Sequence, residues 1–155
     1  MKENKNIVNI LIVSLDDRFS KAVSMCLSEK IDMFNADCKQ LIEYDLISRK
    51  EVLAKCGVEY LKRRERGVLT SCAQYQDTVL SISYSLFRDN YEIFNNSLVI
   101  YLAVLPKKVK EVANSLAYKT RDEFLRENAD IIIENEKKSK NNAVNKIIEE
   151  LGGRQ

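Results

Sequence analysis

The chain is predicted to fold as an α/β domain with a parallel sheet, and three observations carry that expectation. Short, β-branched apolar runs recur at Ile7–Val13, Thr78–Ser83 and Leu98–Val104. Each is nearly continuous rather than alternating, the pattern of strands buried on both faces. Between them lie segments with apolar residues at helical spacing, so successive strands are joined by crossovers long enough to make them parallel.

The elements follow in order. Ile7–Val13 is the first strand. Phe19–Lys30 is a helix whose apolar side carries Phe19, Ala22, Val23, Cys26 and Leu27. Met33–Asn35 is a short strand. Helices come next at Cys38–Tyr44 and Arg49–Cys56. Ser48 caps the second, since its hydroxyl can accept from the orphan first-turn amides, and Gly57 stops it. Val58–Gln74 is a long helix, Thr78–Ser83 a strand, Phe87–Phe94 a short helix and Leu98–Val104 a strand. Pro106 opens a helix over Lys107–Leu116, where its missing N–H costs nothing. Arg121–Asn128 continues helical, Asp130–Glu134 is an edge-like strand, and Asn141–Leu151 is the last helix, with Gly152-Gly153 as its stop. The polar stretch Asn135–Asn142 is a loop.

Composition narrows the function. The 155 residues fit one domain, 1–155, large enough for a real core, and 45% apolar with 31% charged residues is a globular balance. Net charge is +2 with the signs interspersed, so nothing points to nucleic acid. The densest basic patch, Lys62-Arg63-Arg64-Glu65-Arg66, reads as a solvated helix face. No apolar run reaches the ~18 residues of a membrane span, and Met1–Asn6 is polar, so the expected location is cytoplasmic. The four cysteines (Cys26, Cys38, Cys56, Cys72) form no C-x-x-C pair and histidine is absent, which argues against a structural zinc site. Three of them fall on predicted helices and read as small buried hydrophobes. Without histidine, any catalysis would rest on Asp, Glu, Lys or Arg.

The turn after the first strand is the sharpest local signal. Ser14-Leu15-Asp16-Asp17-Arg18-Phe19-Ser20-Lys21 stands where a strand–turn–helix unit would cradle a nucleotide phosphate, yet the first glycine of the chain is Gly57. A phosphate cradle needs glycines so that successive amides can curl round the anion. Here two carboxylates would repel a triphosphate at the helix N-terminus. A response-regulator receiver is set aside because Thr78–Ser83 ends in Ser83-Tyr84-Ser85 without a phospho-acceptor aspartate. A dinucleotide fold is set aside because its glycine fingerprint is missing.

Five stretches, collinear and at near-family spacing, resemble shikimate kinase. They are Asn35-Ala36-Asp37 for its D-x-D; Gly57-Val58-Glu59-Tyr60-Leu61-Lys62 with Glu65 for G-x-x-x-F-R-x-x-E; and Val79–Ser85 for the strand leading into G-G-G. Leu98–Val104 with Pro106 is similar to V-V-Y-L-x-V-x-P, and Arg121–Asp130 to R-x-P-L-Y-x-E-x-A-D. The resemblance implies a three-layer α/β sandwich of the P-loop kinase type, with a five-stranded parallel sheet of order 2-3-1-4-5. It also implies that the lid is missing, because the spacing from Val109 to Arg121 falls well short of the family's.

Carried over position by position, the resemblance implies a degenerate phosphate loop. Ser14, Asp17 and Phe19 occupy its three glycine positions, Ser20 the phosphate-binding lysine, and Lys21 the magnesium-binding Ser/Thr. Lys21 sits one place late, about 100° round the helix, and Asp16 adds a second carboxylate. Asn35 replaces the first acid of D-x-D. Lys62 replaces the substrate-binding arginine and loses its bidentate fork. Tyr84 stands in the G-G-G turn, where its side chain could fill the pocket.

Asp37, Glu65 and Arg121 remain, so the implied substrate pocket is Asp37, Lys62, Glu65, Tyr84 and Arg121. The expected protein is a shikimate kinase-like pseudoenzyme with a regulatory or interaction role and no catalytic residue, metal or cofactor. Two alternatives stand beside it: an active shikimate or small-molecule kinase using ATP and magnesium, and a non-catalytic binder of a shikimate-like hydroxy-acid. A protein partner or self-association is expected if Leu15, Phe19 and Tyr84 are exposed, and a plugged cleft if they are buried.

Overall fold

The central strand, β1 (Asn9–Ser14), lies between β3 (Thr78–Ile82) and β4 (Ser97–Ala103) in a computed structural model that describes residues 7–105, 115–135 and 138–153. The short strands β2 (Phe34–Asp37) and β5 (Ile131–Glu134) form the edges, and all four pairings are parallel, giving the order β2-β3-β1-β4-β5. That is the sheet the resemblance implies. Every residue of β1, β3 and β4 is buried, which is why those runs carry no polar alternation. β5 alternates buried and exposed, as an edge strand should.

The helices flank this sheet: α1 (Asp17–Lys30), α2 (Cys38–Leu46), α3 (Arg49–Cys72), α4 (Tyr84–Asn90), α5 (Ser115–Asn128) and α6 (Lys140–Gly152). Helices α1 and α6 pack together, burying Val23 and Leu27 of one and Ala143, Val144 and Ile147 of the other. At the foot of the sheet the buried Asn9 side chain donates to the carbonyls of Cys72 (3.4 Å), Ala73 (3.1 Å) and Tyr75 (2.8 Å), tying the end of α3 to the start of β1. These carbonyls sit past the helix end, where intrahelical partners run out.

Several boundaries differ from the sequence reading. The short strand falls at Phe34–Asp37 rather than Met33–Asn35. The helix expected from Phe87 starts three residues earlier at Tyr84, because the Ser83 hydroxyl caps it by accepting from the Leu86 amide, and its last turn, Tyr91–Phe94, tightens to 3-10. The two helices expected on either side of Gly57 form one kinked rod: Gly57 alone is non-helical there, at φ 84° and ψ 169°. Not all cysteines are core: Cys38 and Cys72 are buried, whereas Cys26 is half-buried and Cys56 exposed. Most of the helix expected at Lys107–Leu116, and with it the shortened lid connection, lies outside the described residues.

Gly57 gives a clean test. A Cβ there would meet no atom within 4 Å, so any cost of alanine is backbone strain alone. Gly57→Ala should destabilise the protein by about 1–2 kcal/mol, read as a lower urea midpoint with unchanged slope.

Candidate functional site

The first turn of α1 sits at the carboxyl end of β1, at the middle of the sheet. Its orphan amides must find acceptors. Asp16 supplies one: it is the N-cap of α1, and its Oδ1 accepts from the Phe19 amide at 3.2 Å. Ser14 tightens the turn from beneath, donating to the Leu102 carbonyl (2.9 Å) and accepting from the Asp16 amide (3.2 Å). The other Asp16 oxygen meets Lys138 Nζ at 2.6 Å, from the connection between β5 and α6.

Lys138 is aimed by its own loop. The buried Asn135 accepts from the Ser139 amide and donates to the Ser139 carbonyl, closing a turn in which Lys138 takes φ 47°. Burial alone would raise the Asp16 carboxyl; the Lys138 ammonium and the Phe19 amide outweigh it and hold it below the ordinary carboxylate range.

The rest of the turn is filled from inside. Leu15 and Phe19 are 3% and 7% exposed and belong to the core, and Ser20 turns back to donate to the Asp17 carbonyl. Of the three residues whose exposure was in question, Leu15 and Phe19 are therefore buried and Tyr84 is half-buried. Lys21 lines a cavity of about 180 Å³ with Asp17, Arg18 and Ser20 of the same segment and with Asp37 and Lys39.

The five pocket residues fall in three places: Asp37 at the start of α2, Lys62 and Glu65 along α3, and Tyr84 against Arg121. Asp37 is the N-cap of α2: its Oδ2 accepts from the Gln40 amide (3.1 Å) and its Oδ1 from the Ser81 hydroxyl (2.7 Å), so both oxygens are engaged in holding β2, β3 and α2 together. Glu65 pairs with Arg49 at 3.5 Å and, with Lys62, lines a groove of about 350 Å³ between α3 and α4.

Tyr84 is the first residue of α4. Its ring meets Phe124 edge-on, with the guanidinium groups of Arg88 and Arg121 at 5.7 and 5.1 Å from its centroid. Arg121 thus stacks on Tyr84. The Asn35 side chain donates to Ser24 Oγ and to the Val79 carbonyl, a structural use.

A second polar network went unread in the sequence. Buried Tyr101 of β4 donates its hydroxyl to Asp122 Oδ1 at 2.5 Å; Arg126 bridges Asp122 (2.8 Å) and Glu134 (2.6 Å). Burial and the neighbouring Asp122 carboxylate push the Tyr101 phenol far up, so it serves as a fixed donor that positions α5. Among the described residues no group of three or more Cys, Asp or Glu side chains could hold a metal ion, and no helix is long and apolar enough to cross a membrane.

A parallel sheet of this order, with a strand–turn–helix unit at its centre, defines the P-loop kinase fold. Shikimate kinases are among the solved structures that resemble this chain. That of Aquifex aeolicus superposes with a TM-score of 0.75 at 18% identity, covering 94% of this chain and 97% of its own. That of Bacteroides thetaiotaomicron gives 0.75 at 17%, covering 94% and 98%. That of Acinetobacter baumannii, solved with shikimate, gives 0.70 at 19%, covering 97% and 96%. At such identities the likeness fixes the fold. No family model matches the sequence, and no curated protein does.

The Asp16–Lys138 pair carries a pH-dependent prediction. A carboxyl lowered by folding stabilises above its unfolded value, near 3.8, and loses that contribution as pH falls through the lower folded value. Lys138→Ala should therefore cost about 0.5–1 kcal/mol at pH 7, a partly exposed pair discounted for solvent. The gap from the parent should close as pH drops below the ordinary carboxylate range, measured by urea unfolding across pH 2–7.

Proposed function

We propose that this chain is a non-catalytic protein built on the shikimate kinase fold, cytoplasmic, with a regulatory or interaction role in place of phosphoryl transfer. One observation carries the reading: the Asp16 carboxylate already fills the anion position at the N-terminus of α1 and brings its own counter-ion, Lys138. Phosphoryl transfer depends on loop amides, a lysine, magnesium and closure. Losing a single preorganised donor costs roughly 10²–10³ in rate, and here the glycine cradle, the lysine and the Ser/Thr position are all replaced. The shortened Val109–Arg121 connection argues the same way about closure.

The hydroxy-acid binder reading draws less support. It rests on Asp37 and Arg121, and both are committed elsewhere, to the cap of α2 and to the Tyr84 ring. Leu15 and Phe19 are core residues, so a protein partner would be met on another surface.

A coupled ADP-release assay with shikimate and Mg-ATP should show no turnover. Millimolar Mg-ATP should leave the thermal midpoint unmoved, because only a ligand that binds the folded state raises it. Turnover abolished by Arg121→Ala, or a shift of several degrees with nucleotide, would restore the kinase reading.

A further inference from the structure

Helices α2 and α3 pack against each other, and one ion pair marks their register: Arg64 Nη2 lies 2.8 Å from Asp45 Oδ2. Cys38 stands seven residues back along α2 from Asp45, and Cys72 eight residues forward along α3 from Arg64. At the helical rise these steps span about 10 and 12 Å, which brings the two cysteines to one level at the far end of the pair. Both are fully buried, beside Ile42 of α2 and Leu69 of α3 in the same core. Neither is in a disulfide, and each thiol perturbs the titration of the other.

We propose that Cys38 and Cys72 form a redox pair, which hydrogen peroxide converts to an intramolecular disulfide that staples the β2–α2 edge to α3. The two sulfurs have different parts. The neighbouring Cys38 holds the Cys72 thiol below the usual range, whereas the neighbouring Cys72 and burial push Cys38 well up. Cys72 is therefore the nucleophile.

Its thiolate attacks one peroxide oxygen; the O–O bond breaks, and the departing hydroxide takes up a proton as water, leaving Cys72 as a sulfenic acid. Cys38 sulfur then attacks Cys72 sulfur. The S–O bond breaks, the hydroxyl leaves as a second water with the Cys38 proton, and the S–S bond remains. Two thiols are oxidised and one peroxide is reduced to two waters.

Access comes through the weakest edge of the fold. β2 has only four residues at the rim of the sheet, the first two exposed. α2 ends in a γ-turn at Ile47, a β-branched residue at φ 63° and ψ −57°, with the Ser48 amide donating to the Leu46 carbonyl at 2.6 Å. That geometry is strained, and its side chain is 91% exposed. Lying at the sheet rim and ending in this strained turn, the unit opens locally. Peroxide is small enough to enter then, where a bulky disulfide reagent is not.

The test is peroxide treatment of the full chain, run in parallel on a Cys26→Ser/Cys56→Ser variant that removes the two accessible thiols. Thiols left over are alkylated under denaturing conditions before intact-mass and peptide mapping. The expected result is loss of the mass of two hydrogen atoms, no alkylation of Cys38 or Cys72, and one peptide joining them. The thermal midpoint should rise by roughly 5–10 °C and fall back on reduction. Full alkylation of both cysteines, or Cys72 taken to sulfinic acid without a link, would overturn the proposal. So would a crosslink between two chains.

Discussion

Everything at the centre of this molecule answers one constraint: the amides that open α1, at the carboxyl end of the innermost strand, need an acceptor. In a phosphate-binding loop a ligand satisfies them and glycines make room for it. Here the chain satisfies one itself. Asp16 reaches the Phe19 amide, Ser14 braces the turn against Leu102, and Lys138 arrives from the connection between β5 and α6 to balance the charge. With that acceptor internal, Phe19 and Leu15 of the same turn pack into the core.

The residues of the implied pocket likewise have partners within the chain. A shikimate-like ligand would need a free carboxylate and a free guanidinium. Asp37 spends both its oxygens on an α2 amide and a β3 hydroxyl, and Arg121 lies on the Tyr84 ring. Such residues could be retained for the fold alone. The Tyr101–Asp122–Arg126–Glu134 network serves the fold in the same way, tying α5 to β4 and β5.

The sheet was legible because its strands are buried on both faces, which writes an uninterrupted apolar run into the sequence. Gly57 and Ser48 were legible because a break and a cap have specific backbone chemistry. The start of α4 was not, since Ser83 looks like the end of a strand until its hydroxyl is seen capping Leu86. Lys138 left no signal at all: it lies in a polar loop, and its partner Asp16 is 122 residues away. The resemblance located the turn and the pocket positions, but residue type alone could not tell a cap from a ligand, as Asp37 shows. Tyr84 likewise needed α4 in place before its ring could be assigned to Phe124 and Arg121.

The central claim is that the anion position of α1 belongs to Asp16, and the Phe19 amide reports on it directly. In a ¹⁵N–¹H NMR titration with inorganic phosphate and then Mg-ATP at neutral pH, the Phe19 and Ser20 amide signals should stay in place. The Phe19 signal should move only on acidification, together with the Asp16 side-chain carbonyl carbon. Saturable shifts of Phe19 and Ser20 with phosphate at neutral pH would contradict the account, because they would show that an outside anion takes the place assigned to Asp16.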